Sequence, residues 1–239
     1  MGLFDKKTCD ICGGKIGLLG NRKVDDGNMC KDCASLLSPL MTDRRRTTLA
    51  DIREHLSYRE ENKKKVNALN ITRSFGNSQK LLIDDNAGCF IVTSSSRWQN
   101  DNPDVILLSQ VTGCIDEVRE SRTELKTKDN EGKPISYNPP RYDVDYDFYI
   151  TLDINSPWFN KLTMKVNGSR VEDRFSAAYK DASKQMAELK ETLTAVRDRT
   201  FSENEAAAQP KSAVQCPCCG ASTLPDHKGC CEFCGGAVK

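Results

Sequence analysis

Eight cysteines stand in four Cys-x-x-Cys pairs, and sulfur is where this sequence offers chemistry. Cys9-Asp-Ile-Cys12 is followed, seventeen residues later, by Cys30-Lys-Asp-Cys33; Cys216-Pro-Cys-Cys219 is followed, eleven residues later, by Cys231-Glu-Phe-Cys234. A tight Cys-x-x-Cys turn brings two sulfurs to about 3.5–4 Å, and two such turns close a tetrahedral cage around an ion bound at about 2.3 Å per sulfur. The expectation is two structural Zn²⁺ ions, one held by Cys9, Cys12, Cys30 and Cys33, the other by Cys216, Cys219, Cys231 and Cys234; disulfides or an iron site are the competing readings. A segment of roughly 25 residues cannot bury enough apolar surface to fold alone, so at each end the ion supplies most of the folding free energy. Cys218 and Cys230 are extra thiols near the second set, and His227 is an alternative ligand there.

Zinc closed by four thiolates keeps no position for a reacting water. The chain has only two histidines, and no nucleophile–base set, phosphate loop or HExxH stands in it. The expectation is therefore a protein that is not an enzyme. Its 35 Lys and Arg balance 34 Asp and Glu, for a net charge of +1. Nucleic-acid or membrane binding would have to rest on a local patch. Arg44–Arg46 and Lys63–Lys65 are the two basic clusters on offer. No run approaches the ~20 apolar residues of a membrane span. The opening Met1-Gly-Leu-Phe-Asp-Lys-Lys has no apolar signal core, so a cytoplasmic location is expected, where cysteines at these spacings bind metal.

The elements that must position the sulfurs follow from the flanks. Gly13-Gly14 turns the chain after the first knuckle. Lys15–Leu19 and Arg22–Val24 read as hairpin arms, Asp25–Asn28 as a turn, and Ala34 onward as a short helix broken at Pro39. Knuckle, hairpin, and a knuckle at a helix start is the order of a treble-clef finger, here residues 1–41. Residues 9–40, with Ile11-Cys-Gly-Gly-Lys-Ile-Gly-Leu-Leu-Gly-Asn21 and Asp26-Gly-Asn-Met-Cys-Lys-Asp-Cys33, resemble an uncharacterised family of bacterial N-terminal four-cysteine fingers. Their ligand spacing is also similar to that of GATA-type fingers, which bind DNA, but the aromatic and basic recognition residues of those fingers do not map onto 13–29.

Residues 42–66 read as a charged connector helix, with Thr48 and Asp51 as a capping box and Leu49, Ile52 and Leu56 on a packing face. Arg59, Glu60, Glu61 and Lys63–Lys65 are expected to face water, and His55 to be packed or exposed, not a ligand. Between 67 and 200 period-two runs dominate. Cys89–Thr93, Val105–Leu108 and Gly113–Glu120 are expected strands, and residues 129–141 an irregular tip. Tyr142, Val144, Tyr146, Phe148, Ile150, Leu152 and Ile154 alternate with polar residues as the clearest strand. Asp143, Asp145 and Asp147 then lie on its wet face, opposite Arg122, Lys126 and Lys128. A helix is expected from a Ser169–Glu172 capping box, burying Phe175, Met186, Leu189 and Leu193. Trp98 and Trp158 are loop aromatics suited to contact or to anchoring, and Cys89 and Cys114 read as small core residues.

About seven strands closed by an amphipathic helix resemble a pleckstrin-homology-like (PH-like) β-barrel. The stretch Val105-Ile-Leu-Leu-Ser-Gln-Val-Thr-Gly-Cys-Ile-Asp-Glu-Val118 looks like a hairpin segment of the bacterial forms. The resemblance implies a binding platform without catalytic residues. It does not extend to phosphoinositide recognition, since 75–79 is Phe-Gly-Asn-Ser-Gln where a basic loop is wanted. Residues 201–214 read as a flexible linker, and 215–239 resemble a short zinc ribbon. The fold expected is α+β: finger, barrel with a long helix, ribbon. The role expected is a zinc-binding adaptor that meets a protein partner or a second copy of itself. The alternatives are nucleic-acid binding through the fingers and basic clusters, and membrane-surface association through the barrel and Met1–Phe4.

Overall fold

The computed structural model describes residues 7–208, 214–224 and 229–238, apart from the side chains of 196–208. Met1–Phe4, residues 209–213 of the expected linker, and His227 lie outside the described residues. The chain forms two units, Met1–Arg197 and Asp198–Lys239.

In the first unit the finger hairpin is β1 (Arg22–Lys23) paired antiparallel with β2 (Asn28–Met29). The Asp25–Gly27 bend therefore joins the two arms, and the arm expected at Lys15–Leu19 is instead a lone Thr8–Lys15 bridge and a turn. Helix α1 (Lys31–Ser35) follows directly and stops ahead of Pro39. Helix α2 (Leu49–Ala68) starts at the Thr48–Asp51 capping box, both halves of which form. Ile52 is buried with Cys9, Val24, Met29 and Leu37, and Leu49 and Leu56 pack against them, so the finger closes on the N-terminal half of α2.

The C-terminal half of α2 covers one face of a four-stranded antiparallel sheet of β3 (Arg73–Phe75), β4 (Lys80–Asp84), β5 (Cys89–Thr93) and β6 (Ile106–Leu107). Val66 packs there with Leu82, Cys89, Ile91 and Val105. The short helix α3 (Trp98–Asp101) lies in the β5–β6 loop. The opposite face of the sheet, with Leu81, Ile83, Phe90 and Ile106, enters the main core. There it meets β7 (Val111–Lys128), β8 (Pro134–Ile154) and β9 (Lys161–Lys165), a second antiparallel sheet that supplies Phe148, Ile150, Leu152, Leu162 and Met164. Helix α4 (Ala177–Ala208) adds Ala182, Met186, Leu189 and Leu193.

Several expectations change. No closed barrel is found among the described residues: the two sheets share a core but no strand ladder. A 3-10 turn at Leu108–Gln110 breaks the path from β6 to β7. Where β9 nears β3, the Lys165 amide donates to the Gln79 side-chain Oε1 (3.0 Å), which stands where a strand partner would. The expected 129–141 tip is mostly strand, because β7 and β8 run on as a ribbon to a turn at 129–133. The register jumps from Leu125–Arg141 to Lys126–Ser136, so residues 137–140 bulge out, and Pro139 and Pro140, which have no amide to give, fall in that bulge.

Helix α4 does not begin at Ser169. Residues 169–173 run as a non-helical segment beside β8, with the Tyr146 amide on the Val171 carbonyl (2.8 Å) and the Val171 amide on Asp145 (3.1 Å). Ser176 caps instead, accepting from the Tyr179 amide (3.1 Å), and Phe175 is left exposed. At its other end α4 runs through 201–208, which were expected to be a flexible linker. In the second unit β10 (Val214–Gln215) pairs with β11 (Ser222–Thr223). No described helix is long and apolar enough to cross a membrane.

Candidate metal centres

Three of the four Cys-x-x-Cys turns share one backbone design. The first cysteine's amide donates to the carbonyl five residues on, and its own carbonyl receives the amide four residues on. Cys9–Gly14 and Gly13–Cys9, Cys216–Ala221 and Gly220–Cys216, Cys231–Gly236 and Gly235–Cys231 are all 2.8 Å. Closing that loop puts the residue after the second cysteine in the left-handed region. Glycine takes it each time: Gly13 at φ +71°, Gly220 at +73° and Gly235 at +68°. The fourth turn is a helix start. Cys30 is the N-cap of α1, its sulfur accepting the Cys33 amide (3.4 Å), and Ala34 follows where the other turns need glycine.

The turns bring the sulfurs into two quartets. Within Cys9, Cys12, Cys30, Cys33 and within Cys216, Cys219, Cys231, Cys234 all four sulfurs lie within 4.8 Å of one another. Across the knuckles the separations are 3.9 Å (Cys9–Cys33), 3.8 Å (Cys12–Cys30), 3.6 Å (Cys216–Cys234) and 3.8 Å (Cys219–Cys231). A disulfide needs about 2.05 Å. A tetrahedron of sulfurs at about 2.3 Å from its centre has edges of about 3.8 Å. The donor sets therefore fit one ion each, and two four-cysteine clusters can each hold a metal ion. Cys218 and Cys230 belong to neither quartet, although a Cβ on Gly236 would come within 2.9 Å of the Cys218 sulfur.

The sulfurs are already prepared for a cation. Burial works to raise the Cys9 thiol, but the amides of Cys12, Cys30 and Ile11 outweigh it and hold it at about 6. Cys231 is likewise buried, and the amides of Cys234 and Phe233 bring it to about 6. Burial and the sulfurs around it push Cys33 upward. Four crowded sulfurs cannot all ionise unaided, and a divalent ion at the centre removes that conflict.

A second constellation was not legible as a site. Ile52, His55, Arg59, Asn62 and Val66 form the buried stripe of α2, spaced three and four apart. Arg59, expected in water, is buried against Asp104 (2.8 Å). Asp104 also accepts from Ser38 Oγ (2.6 Å) and Tyr58 Oη (3.2 Å), while Arg59 Nε donates to the Leu36 carbonyl (3.3 Å). Asn62 donates to the Pro103 carbonyl and accepts from the Val105 amide (both 2.8 Å). His55 Nε2 accepts from the Ser38 amide (3.0 Å), and its ring meets Trp158 edge-on at 4.7 Å. This network joins the finger (Leu36, Ser38) to α2 and to the start of β6. The helical spacing of the stripe was the available signal, once polar residues are allowed on it.

The remaining candidates engage neighbours within the fold. Asp143 and Asp145 pair with Arg170 and Asp147 with Lys165, not with Arg122, Lys126 or Lys128. Trp98 and Trp158 pack partly buried against the cores, and Cys89 is buried. Beside Trp158 a cavity of about 380 Å³ opens between α2, β6 and the 156–159 loop, lined by Tyr58, Leu69, Val105, Leu107, Trp158 and Phe159.

Among known families, one described as a domain of unknown function (DUF4428) matches residues 8–55, the segment that holds the first quartet and the N-terminal part of α2. No curated protein and no solved structure matches the chain.

Proposed function

We propose that the chain is a non-catalytic zinc-binding adaptor that works in a reducing compartment such as a bacterial cytoplasm. The observation that carries this reading is the pair of all-sulfur quartets at tetrahedral spacing. Four thiolates favour zinc over harder ions and leave no position for a reacting water, so each ion is structural. His55 supports the same reading, being buried with its Nε2 already engaged. A four-stranded sheet, a three-stranded sheet and a long helix around one core support a PH-like platform for the centre. The apolar cavity beside Trp158 suits an aliphatic or aromatic side chain of a protein partner.

The test is metal content with native mass, then capture of partners. Two zinc ions per chain are expected, and Leu107→Ser is expected to keep both while losing the captured protein. An iron-bearing or metal-free chain would overturn the zinc assignment. A folded zinc-loaded monomer that captures nothing would overturn the adaptor role.

One observation favours nucleic acid as a second reading. Arg44 Nη1 is buried without a hydrogen-bond partner among the described residues, and burial, Arg22 and Arg45 press its guanidinium pKa down. An anion there would supply an acceptor and offset the repulsion from Arg22 and Arg45. Lys63–Lys65 would not extend that patch, since α2 sets them about 25 Å away at 1.5 Å per residue. Absence of any gel shift at low salt would eliminate this reading.

A further inference from the structure

The finger holds two leucines out in water. Gly17–Gly20 is a β-turn closed by the Gly20 amide on the Gly17 carbonyl (2.9 Å), and Leu18 and Leu19 are its central residues, 86% and 89% exposed. They are the one sequence-adjacent pair of exposed large hydrophobics among the described residues. The turn is braced from both sides. Ile16 before it is buried in the finger core, and Arg22 Nη1 after it donates to the carbonyls of Leu19 (3.1 Å) and Asn21 (3.3 Å). Such a tip does not fold back to hide its side chains.

The charged residues of the 15–23 segment are all basic. Lys15 leads into the turn from its bridge to Thr8, Lys7 lies beside it with its carbonyl on the Ile16 amide, and Arg22 and Lys23 leave it on β1. None of the finger's described acids, Asp10, Asp25, Asp26 and Asp32, lies between Lys15 and Lys23. Asp10 accepts the Asn28 amide (2.7 Å), Asp26 accepts the Leu49 amide (2.7 Å), and Asp25 lies past the far end of β1. A protein pocket would have to be shaped to two adjacent leucines. A bilayer with anionic headgroups asks only for a projecting apolar tip and a basic rim.

We propose that the Leu18–Leu19 tip is a membrane contact, entering the headgroup–acyl boundary of an anionic bilayer while Lys7, Lys15, Arg22 and Lys23 meet its phosphates. The contact does not rest on the adaptor reading, since it needs neither the cavity nor a protein partner.

The test is flotation of the full zinc-loaded chain with vesicles of phosphatidylglycerol and phosphatidylcholine in equal parts, and with phosphatidylcholine alone. The chain is expected to float with the anionic vesicles, to be released by salt, and to leave the neutral ones largely unbound. L18S/L19S is expected to weaken binding roughly tenfold or more at unchanged zinc content and native mass. A charge variant, K15E/K23E, is expected to lose the anionic preference, and it decides alone should L18S/L19S lose zinc. Wild type that stays unbound, a leucine variant that binds as before with its zinc in place, or a charge variant with the preference intact would each overturn the proposal. So would a leucine variant that turns a dimer into a monomer without changing flotation, since the tip would then belong to a second copy.

Discussion

His55 is wholly buried, and its surroundings decide its charge. Burial disfavours the imidazolium, Asp104 works the other way, Arg59 adds to burial, and the result is a pKa of about 4. The Ser38 amide donating to Nε2 asks for the neutral ring as well. In the unfolded chain the ring titrates near 6.5. Between those values the unfolded state binds the extra proton, so stability rises with pH across that window. The contribution is complete above about 6.5 and is lost as pH falls towards 4, a change of about 3 kcal/mol. Urea unfolding at pH 7 and pH 4.5 should show this loss in wild type, and His55→Gln should flatten it. An equal slope in both would place the proton elsewhere.

At the scale of elements, helix α2 is the part that depends most on its polar stripe. Arg59 and Asp104 are 45 residues apart in sequence and both buried. Asp104→Asn leaves the guanidinium charge without its counter-ion, which costs about 3–5 kcal/mol. The Arg59→Leu/Asp104→Leu double variant should cost less than either single change, and denaturation curves read by tryptophan fluorescence would show it. Legibility followed the same division between local and distant. The Cys-x-x-Cys-Gly turns, the Thr48 capping box and the alternation from Tyr146 to Ile154 are settled by residues within one turn or one strand, so they could be read. Arg59 could not, because its partner arrives from the far side of three strands and the α3 loop. Ser169–Glu172 has the residues of a cap, but β8 takes that segment as a neighbour first. Strand order, a closing helix and the Val105–Val118 stretch suggest a barrel, but none of them says whether the 3-10 turn at Leu108 or the Gln79 side chain interrupts the ladder.

At the scale of the molecule, the first quartet should stabilise more than its own finger. Leu36 and Ser38, which satisfy Arg59, Asp104 and His55, are finger residues beyond the last ligand, Cys33. Removing the ion frees the 9–33 segment, whose small core holds Cys9 and Cys33 themselves. Leu36 and Ser38 then lose their anchor, and the buried charges on α2 and before β6 lose two partners. The main core contains none of the eight ligands, so the sheets and α4 should survive chelation but at lower stability. Each buried polar group left unsatisfied costs about 1–3 kcal/mol. Both tryptophans, Trp98 and Trp158, pack against the central cores, so the midpoint read by their fluorescence follows the unfolding of the centre. Chelated protein should keep most of its far-ultraviolet dichroism yet unfold at lower denaturant by that fluorescence. Cys12→Ser should reproduce the shift and Cys234→Ser should not, because Leu36 and Ser38 follow the first quartet directly in the chain. A fluorescence midpoint that ignores both chelator and Cys12→Ser would mean that the finger is only appended to the central core.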